Sequence, residues 1–104
     1  MAKPYDQIPD RRAIIRALQD DDAEVRNLAV VTAGRLKMEE AVPELVRCLE
    51  QGPAEAARRA AAALASMPPL GWRALEELGG NANPATAQAA GEALRRVGGK
   101  TGSG

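Results

Sequence analysis

Apolar residues recur along the chain at helical spacing. Ile14, Ile15 and Leu18 fall at i, i+1 and i+4, and Val25, Leu28, Ala29, Thr32 and Leu36 at i, i+3, i+4, i+7 and i+11, so each set lines one face of a helix. The pattern then returns. Leu45-Val46-Arg47-Cys48-Leu49 lies 31 residues beyond Ile14-Ile15-Arg16-Ala17-Leu18, and the same offset pairs Ala29 with Ala60, Ala33 with Leu64 and Leu36 with Met67. A looser third copy follows: Ala74-Leu75 and Leu78 lie 29 beyond Leu45-Val46 and Leu49, and Ala90, Leu94 and Val97 lie 30 beyond Ala60, Leu64 and Met67. Three units, each a helix pair, are therefore predicted.

The breaks in the pattern agree with this division. Pro9, Pro43 and Pro53 fall near expected helix starts, where the missing N–H costs nothing, and Pro84 follows Asn83, a good N-cap. Asp21, Asp22 and Glu24 precede or open one helix, and Glu39 and Glu40 another, as the helix dipole favours. Pro68-Pro69 and Gly71 interrupt the chain between the second and third units.

Leu18-x-Asp20 followed by Val25-Arg26-x-x-Ala29, Ala33-Gly34-x-Leu36 and Ala41-Val42-Pro43-x-Leu45 resembles the HEAT repeat consensus, in its short form of about 30 residues. The resemblance spans roughly residues 8 to 98 and departs in the later units. The aspartate and arginine that resemble a stacked polar ladder are present as Asp20 and Arg26, but Gln51 and Ala57, then Gly80 and Ala87, take their places. It implies an all-α fold, a right-handed α-solenoid of three helix pairs, because each pair buries its apolar face only by stacking on a neighbour. The expected boundaries are an N-terminal extension over 1–7, a repeat domain over 8–98 (units 8–37, 38–68 and 69–98) and a flexible tail over 99–104. The resemblance also implies the work: a non-enzymatic scaffold binding a protein or peptide. A subunit of a tetrapyrrole chromophore lyase-like complex is the alternative.

Composition narrows the rest. Hydrophobic residues make up 45% but aromatics only 2%, so the core must be built from Ala, Leu, Val and Ile, which suits close helix packing. Fourteen Lys and Arg balance fourteen Asp and Glu, which argues against nucleic acid, a polyanion whose binders carry a positive excess. No apolar run approaches the ~18 residues of a membrane span, and MAKPYDQIPD has no signal-peptide core, so no membrane insertion and a cytoplasmic location are expected.

The chain has no histidine, which removes histidine-based triads and histidine-ligated metals. Cys48 replaces Ala17 of the first unit and reads as a packing residue, not a nucleophile. Asp20-Asp21-Asp22 lacks the glycine and distal glutamate of a calcium loop and reads as a capped turn, while Glu39-Glu40 and Glu76-Glu77 are neighbours that cannot face one another. GGKTGSG lacks the first glycine of a phosphate loop, since Leu94 stands six before Lys100. No catalytic residue, metal or cofactor is expected. Trp72 is expected to cover the junction of the second and third units, with partner contact as the alternative; Tyr5 is the other aromatic.

If Val25, Ala29 and Leu36 point into the stack, the other side of that helix presents Asn27, Val30, Val31 and Gly34. The equivalents are Arg58, Ala61, Ala62 and Ala65 in the second unit and Gln88, Gly91, Glu92 and Arg95 in the third. A polar row Asn27-Arg58-Gln88 and a small apolar row Val30-Ala61-Gly91 are thus expected on the concave surface, where a partner helix or extended peptide would lie close. The open ends of such a stack make self-association a further expectation.

Overall fold

The computed structural model describes the backbone of residues 11–102 and the side chains of residues 11–97. The N-terminal extension, Tyr5 and Pro9 lie outside the described residues. Six α-helices run in chain order: α1 (Arg11–Ala17), α2 (Ala23–Arg35), α3 (Val42–Gln51), α4 (Ala54–Ala65), α5 (Leu70–Leu78) and α6 (Pro84–Gly102), with a 3-10 turn at Glu39–Ala41 leading into α3. The described residues contain no strand. Helices α2, α4 and α6 pack side by side in one layer, and α1, α3 and α5 back them in a second. The molecule is 19 Å across its thinnest direction, about the depth of two helix layers.

Local chemistry sets each boundary. Asp22 caps α2, its carboxylate accepting from the Glu24 amide at 2.8 Å, and Asn83 does the same for α6 through the Ala85 amide at 2.9 Å. Arg26 reaches back from the first turn of α2 and donates to the carbonyls of Asp20 and Asp21 at 2.6 and 3.0 Å, tying down the turn between α1 and α2. Its partners are backbone carbonyls, not the Asp20 carboxylate, which accepts from the Asp22 amide instead. The Asp20-Asp21-Asp22 run is thus a capped turn. At the other end of α2, Lys37 adopts φ 52°. Its amide bonds to Gly34 O and that of Met38 to Ala33 O, closing the helix with the paired bonds normally built around a glycine. Met38, fully buried, plugs the exit.

The core runs the length of the stack through Ile14, Leu18, Met38, Leu45, Leu49, Leu64, Met67, Leu75 and Leu78. Helix α4 is its centre, with Ala57, Ala60, Ala61, Ala63, Leu64 and Ala65 all buried, because α2 and α6 flank it and α3 and α5 back it. Alanine permits that crowding: larger residues would hold the helices apart. At Gly34 the approach of α2 is closer still, and a Cβ there would stand 3.0 Å from the Ala63 Cβ and 3.1 Å from its Cα. Gly71 meets α4 in the same manner, with a Cβ at that position running into the Leu64 carbonyl oxygen. Trp72, half-buried, donates its Nε1–H to Ala65 O at 2.7 Å, so it closes the end of α4 as the packing expectation required.

Two expectations change here. Val25 and Leu36 were placed in the core but are exposed, and Leu28 of the same stripe is 69% exposed. Their counterparts 31 residues on are Ala56 and Arg59, on the side of α4 turned toward α2, and Met67, buried just beyond the end of α4. The stripe is therefore a stacking face, and α2 stands at the end of the row with no described helix covering that side. At the other end α6 continues to Gly102, past the boundary expected at 98, because glycine weakens a helix by about 1 kcal/mol without forbidding it.

Candidate functional site

The free face of the α2–α4–α6 layer carries some of the expected rows and not others. Asn27, Arg58 and Gln88 are half-buried or exposed and form one row; Val31 at 45% exposure, Ala62 and Glu92 form a second. Arg95 is exposed one turn further along α6, and Gly91 is half-buried. Val30 and Ala61, expected on the surface, are each only 2% exposed. Gly34 and Ala65 are buried with them. The reason is rotation about the helix axis: successive residues are ~100° apart, and this row points sideways into the neighbouring helix, not outward. Val30 and Gly34 thus help to hold α2 against α4.

Arg35, Ser66 and Arg96 make a third row that sequence reasoning missed, although the same offset of about 30 links them. Ser66 bridges two units. Its hydroxyl lies 2.6 Å from Ala63 O and 3.2 Å from Gly34 O, and its carbonyl accepts from Lys37 Nζ at 3.4 Å.

Between α4 and α6 the free face opens into a groove of about 270 Å³. Ala61, Ala65, Ala89 and Ala93 form its floor, with Arg58, Glu92 and Arg96 along its rim and Val97 at one end. A second section of about 300 Å³ shares Arg58, Ala89 and Glu92 with the first and runs on toward Asn83 and Thr86, so the two are one channel along the helix pair. A shallower hollow lies on the other side of the Ala62 ridge, between α2 and α4, where Arg35, Lys37 and Arg59 gather. Arg59 is held by Glu55 at 3.1 Å along its own helix.

No group of three or more metal-ligating side chains occurs among the described residues, and no helix among them is long and apolar enough to cross a membrane. Cys48 sits half-buried beneath the turn between α1 and α2, its thiol 3.8 Å from Leu18 O. Burial and the nearby Glu44 carboxylate push its pKa up, against the smaller opposing pull of Arg26 and Arg47. A thiol held protonated against a carbonyl is a poor nucleophile.

Two layers of antiparallel helix pairs, stacked through alanine-rich lateral contacts and offering a grooved free face, define an α-solenoid. Within that class the chain belongs to the HEAT repeat family: the family model for HEAT repeats matches residues 7–65, more than half of the sequence. No curated protein matches it. HEAT repeats are generally protein-interaction scaffolds and typically non-enzymatic. The third pair lies outside the matched segment, yet α5 and α6 pack on α4 as a further unit.

Proposed function

We propose that this chain is a non-enzymatic docking module that takes an extended or helical peptide segment into the channel between α4 and α6. The observation that supports this is the channel's construction. Its floor is made of alanines, which let a partner backbone come close, and its rim carries hydrogen-bonding side chains that would fix the register. Arg58, Arg95 and Arg96 gather around Glu92, and Glu50 is the other carboxylate along the channel. The preferred segment is therefore one of small apolar residues flanked by acidic ones, despite the zero net charge of the whole chain. The chromophore lyase-like alternative rests on family resemblance and on no residue of this channel.

A peptide-display selection on the whole chain, with affinities of the enriched peptides read by fluorescence anisotropy, tests the reading. Arg58→Glu combined with Ala62→Arg changes the charge and height of the exposed ridge without entering the core, since both positions are exposed. Enriched peptides should be acidic and apolar, and the double variant should bind them at least about tenfold more weakly, a loss of ~1.4 kcal/mol, with its circular dichroism unchanged. Val30 is no use for such a test, because a charge there would enter the α2–α4 contact. Peptides of basic character, or equal binding by the variant, would sink the proposal.

A further inference from the structure

The end of the stack raises a question that the channel does not answer. Helix α2 leaves Leu28, Val31, Val25 and Leu36 exposed, and Leu28 is more than two-thirds uncovered. Val25, Leu28 and Leu36 belong to the face that, one unit further along, is turned toward α2, and Val31 stands at its edge, where it meets the free face. In α4 the equivalents of Val25, Leu28 and Thr32 are Ala56, Arg59 and Ala63. The larger apolar side chains stand at the end of the row.

We propose that this face is an isologous dimer interface, covered by α2 of a second copy of the chain running antiparallel to the first. The order of side chains along the face selects that occupant. Glu24, Leu28, Val31 and Arg35 are all exposed and spaced four, three and four residues apart, so they form one stripe along the helix. The stripe is palindromic in chemistry about its midpoint: acid, apolar, apolar, base. Laid antiparallel on its own copy, it sets Leu28 against Val31 of the mate and Glu24 against Arg35, each contact occurring twice, as a two-fold interface requires. A parallel pairing would set Glu24 on Glu24 and Arg35 on Arg35. Stacking α2 on the open side of α6 would instead leave two unsatisfied faces and propagate into a filament. Val25, Thr32 and Leu36 flank the stripe on one side and widen the apolar contact.

A helix of 13 residues is about 20 Å long, which gives a contact below the ~800 Å² per partner of a standard interface. The dimer is accordingly weak and concentration-dependent. Sedimentation velocity of the full chain, from low micromolar to near-millimolar concentration, should show a monomer–dimer equilibrium without larger species. Leu28→Glu, Glu24→Arg and Arg35→Glu should each shift the midpoint at least tenfold toward monomer. The double variant Glu24→Arg/Arg35→Glu should restore dimerisation to near the wild-type midpoint, because the reversed charges meet again across the two-fold. All the altered side chains are exposed, so circular dichroism should stay native throughout. A monomer at every concentration would overturn the proposal, meaning that another occupant covers the face, residues 1–10 among the candidates. Open-ended growth, or a double variant no better than the singles, would overturn it equally, the first pointing to head-to-tail stacking and the second to a contact elsewhere.

Discussion

Replacing Gly71 with alanine adds one methyl group to a helix, a change that ordinarily stabilises, and here it should do the reverse. The added Cβ would overlap the Leu64 carbonyl oxygen and stand 2.8 Å from its carbon and 3.1 Å from the Leu64 Cα. Every one of these atoms is backbone of α4, so no rotamer change relieves the clash and α5 must withdraw as a body. Withdrawal stretches the Gly71 amide bond to Met67 O, 2.7 Å at rest, and the Trp72 bond to Ala65 O, also 2.7 Å. Overpacking of this kind costs about 1–3 kcal/mol, and the strained hydrogen bonds add about 1. Against that stands a gain in helix propensity of at most about 1 kcal/mol, less at the second residue of a helix. The net loss is about 2–3 kcal/mol, a fall in melting temperature of roughly 10–20 °C for a domain of this size. Gly91→Ala is the internal control. The nearest atom a Cβ would meet there is Arg95 Nη1 at 3.9 Å, in mid-helix, so the same chemical change should raise stability by about 0.5–1 kcal/mol. Thermal melts by circular dichroism, with urea midpoints as a check, read both. If Gly71→Ala melts with the wild type, the close approach of α5 to α4 is wrong.

Lys37 holds a left-handed backbone at the end of α2, so Lys37→Gly should stabilise by about 0.5–1 kcal/mol, whereas Lys37→Val should lose more than that; chemical denaturation of the three chains decides it. Cys48 carries a pH signature. Its folded pKa lies above the ordinary thiol value, so the native state holds the proton more tightly than the unfolded chain. Stability should be whole below the unfolded thiol pKa and should fall as pH rises from there through the folded value. Cys48→Ala should flatten that part of the urea-midpoint profile, and native Cys48 should react with iodoacetamide more slowly than the unfolded chain at the same pH.

The 3.6-residue period and the repeat offsets of 29 to 31 residues pointed to three helix pairs, because helix formation and helix pairing are decided locally by apolar spacing, caps and breakers. Asp22, Asn83, Pro43 and Pro53 act where they were expected to. The surface rows were less legible. Arg58, Ala62 and Glu92 line the channel and Ala61 lies in its floor, but Val30 is turned into the α2–α4 contact, because a small apolar residue is equally at home in a groove and in a lateral helix contact. Hydrophobicity gives no sign of which way such a residue faces. Leu28 and Leu36 fail in the opposite sense: their spacing marks a stacking face, and only a neighbour's position says whether it is filled.

The sequence by itself determined that this is an all-α repeat, which residues cap or open several of its helices, and that no histidine-based chemistry is available to it. Those properties depend on residues within a few turns of one another and on composition. Only the tertiary structure decided that α4 is packed on three sides while α2 keeps a bare apolar side, that Gly34 and Gly71 are points of close helix approach, and that a groove lies between α4 and α6. These depend on how far each helix is rotated about its own axis and on which unit stands at the end of the row.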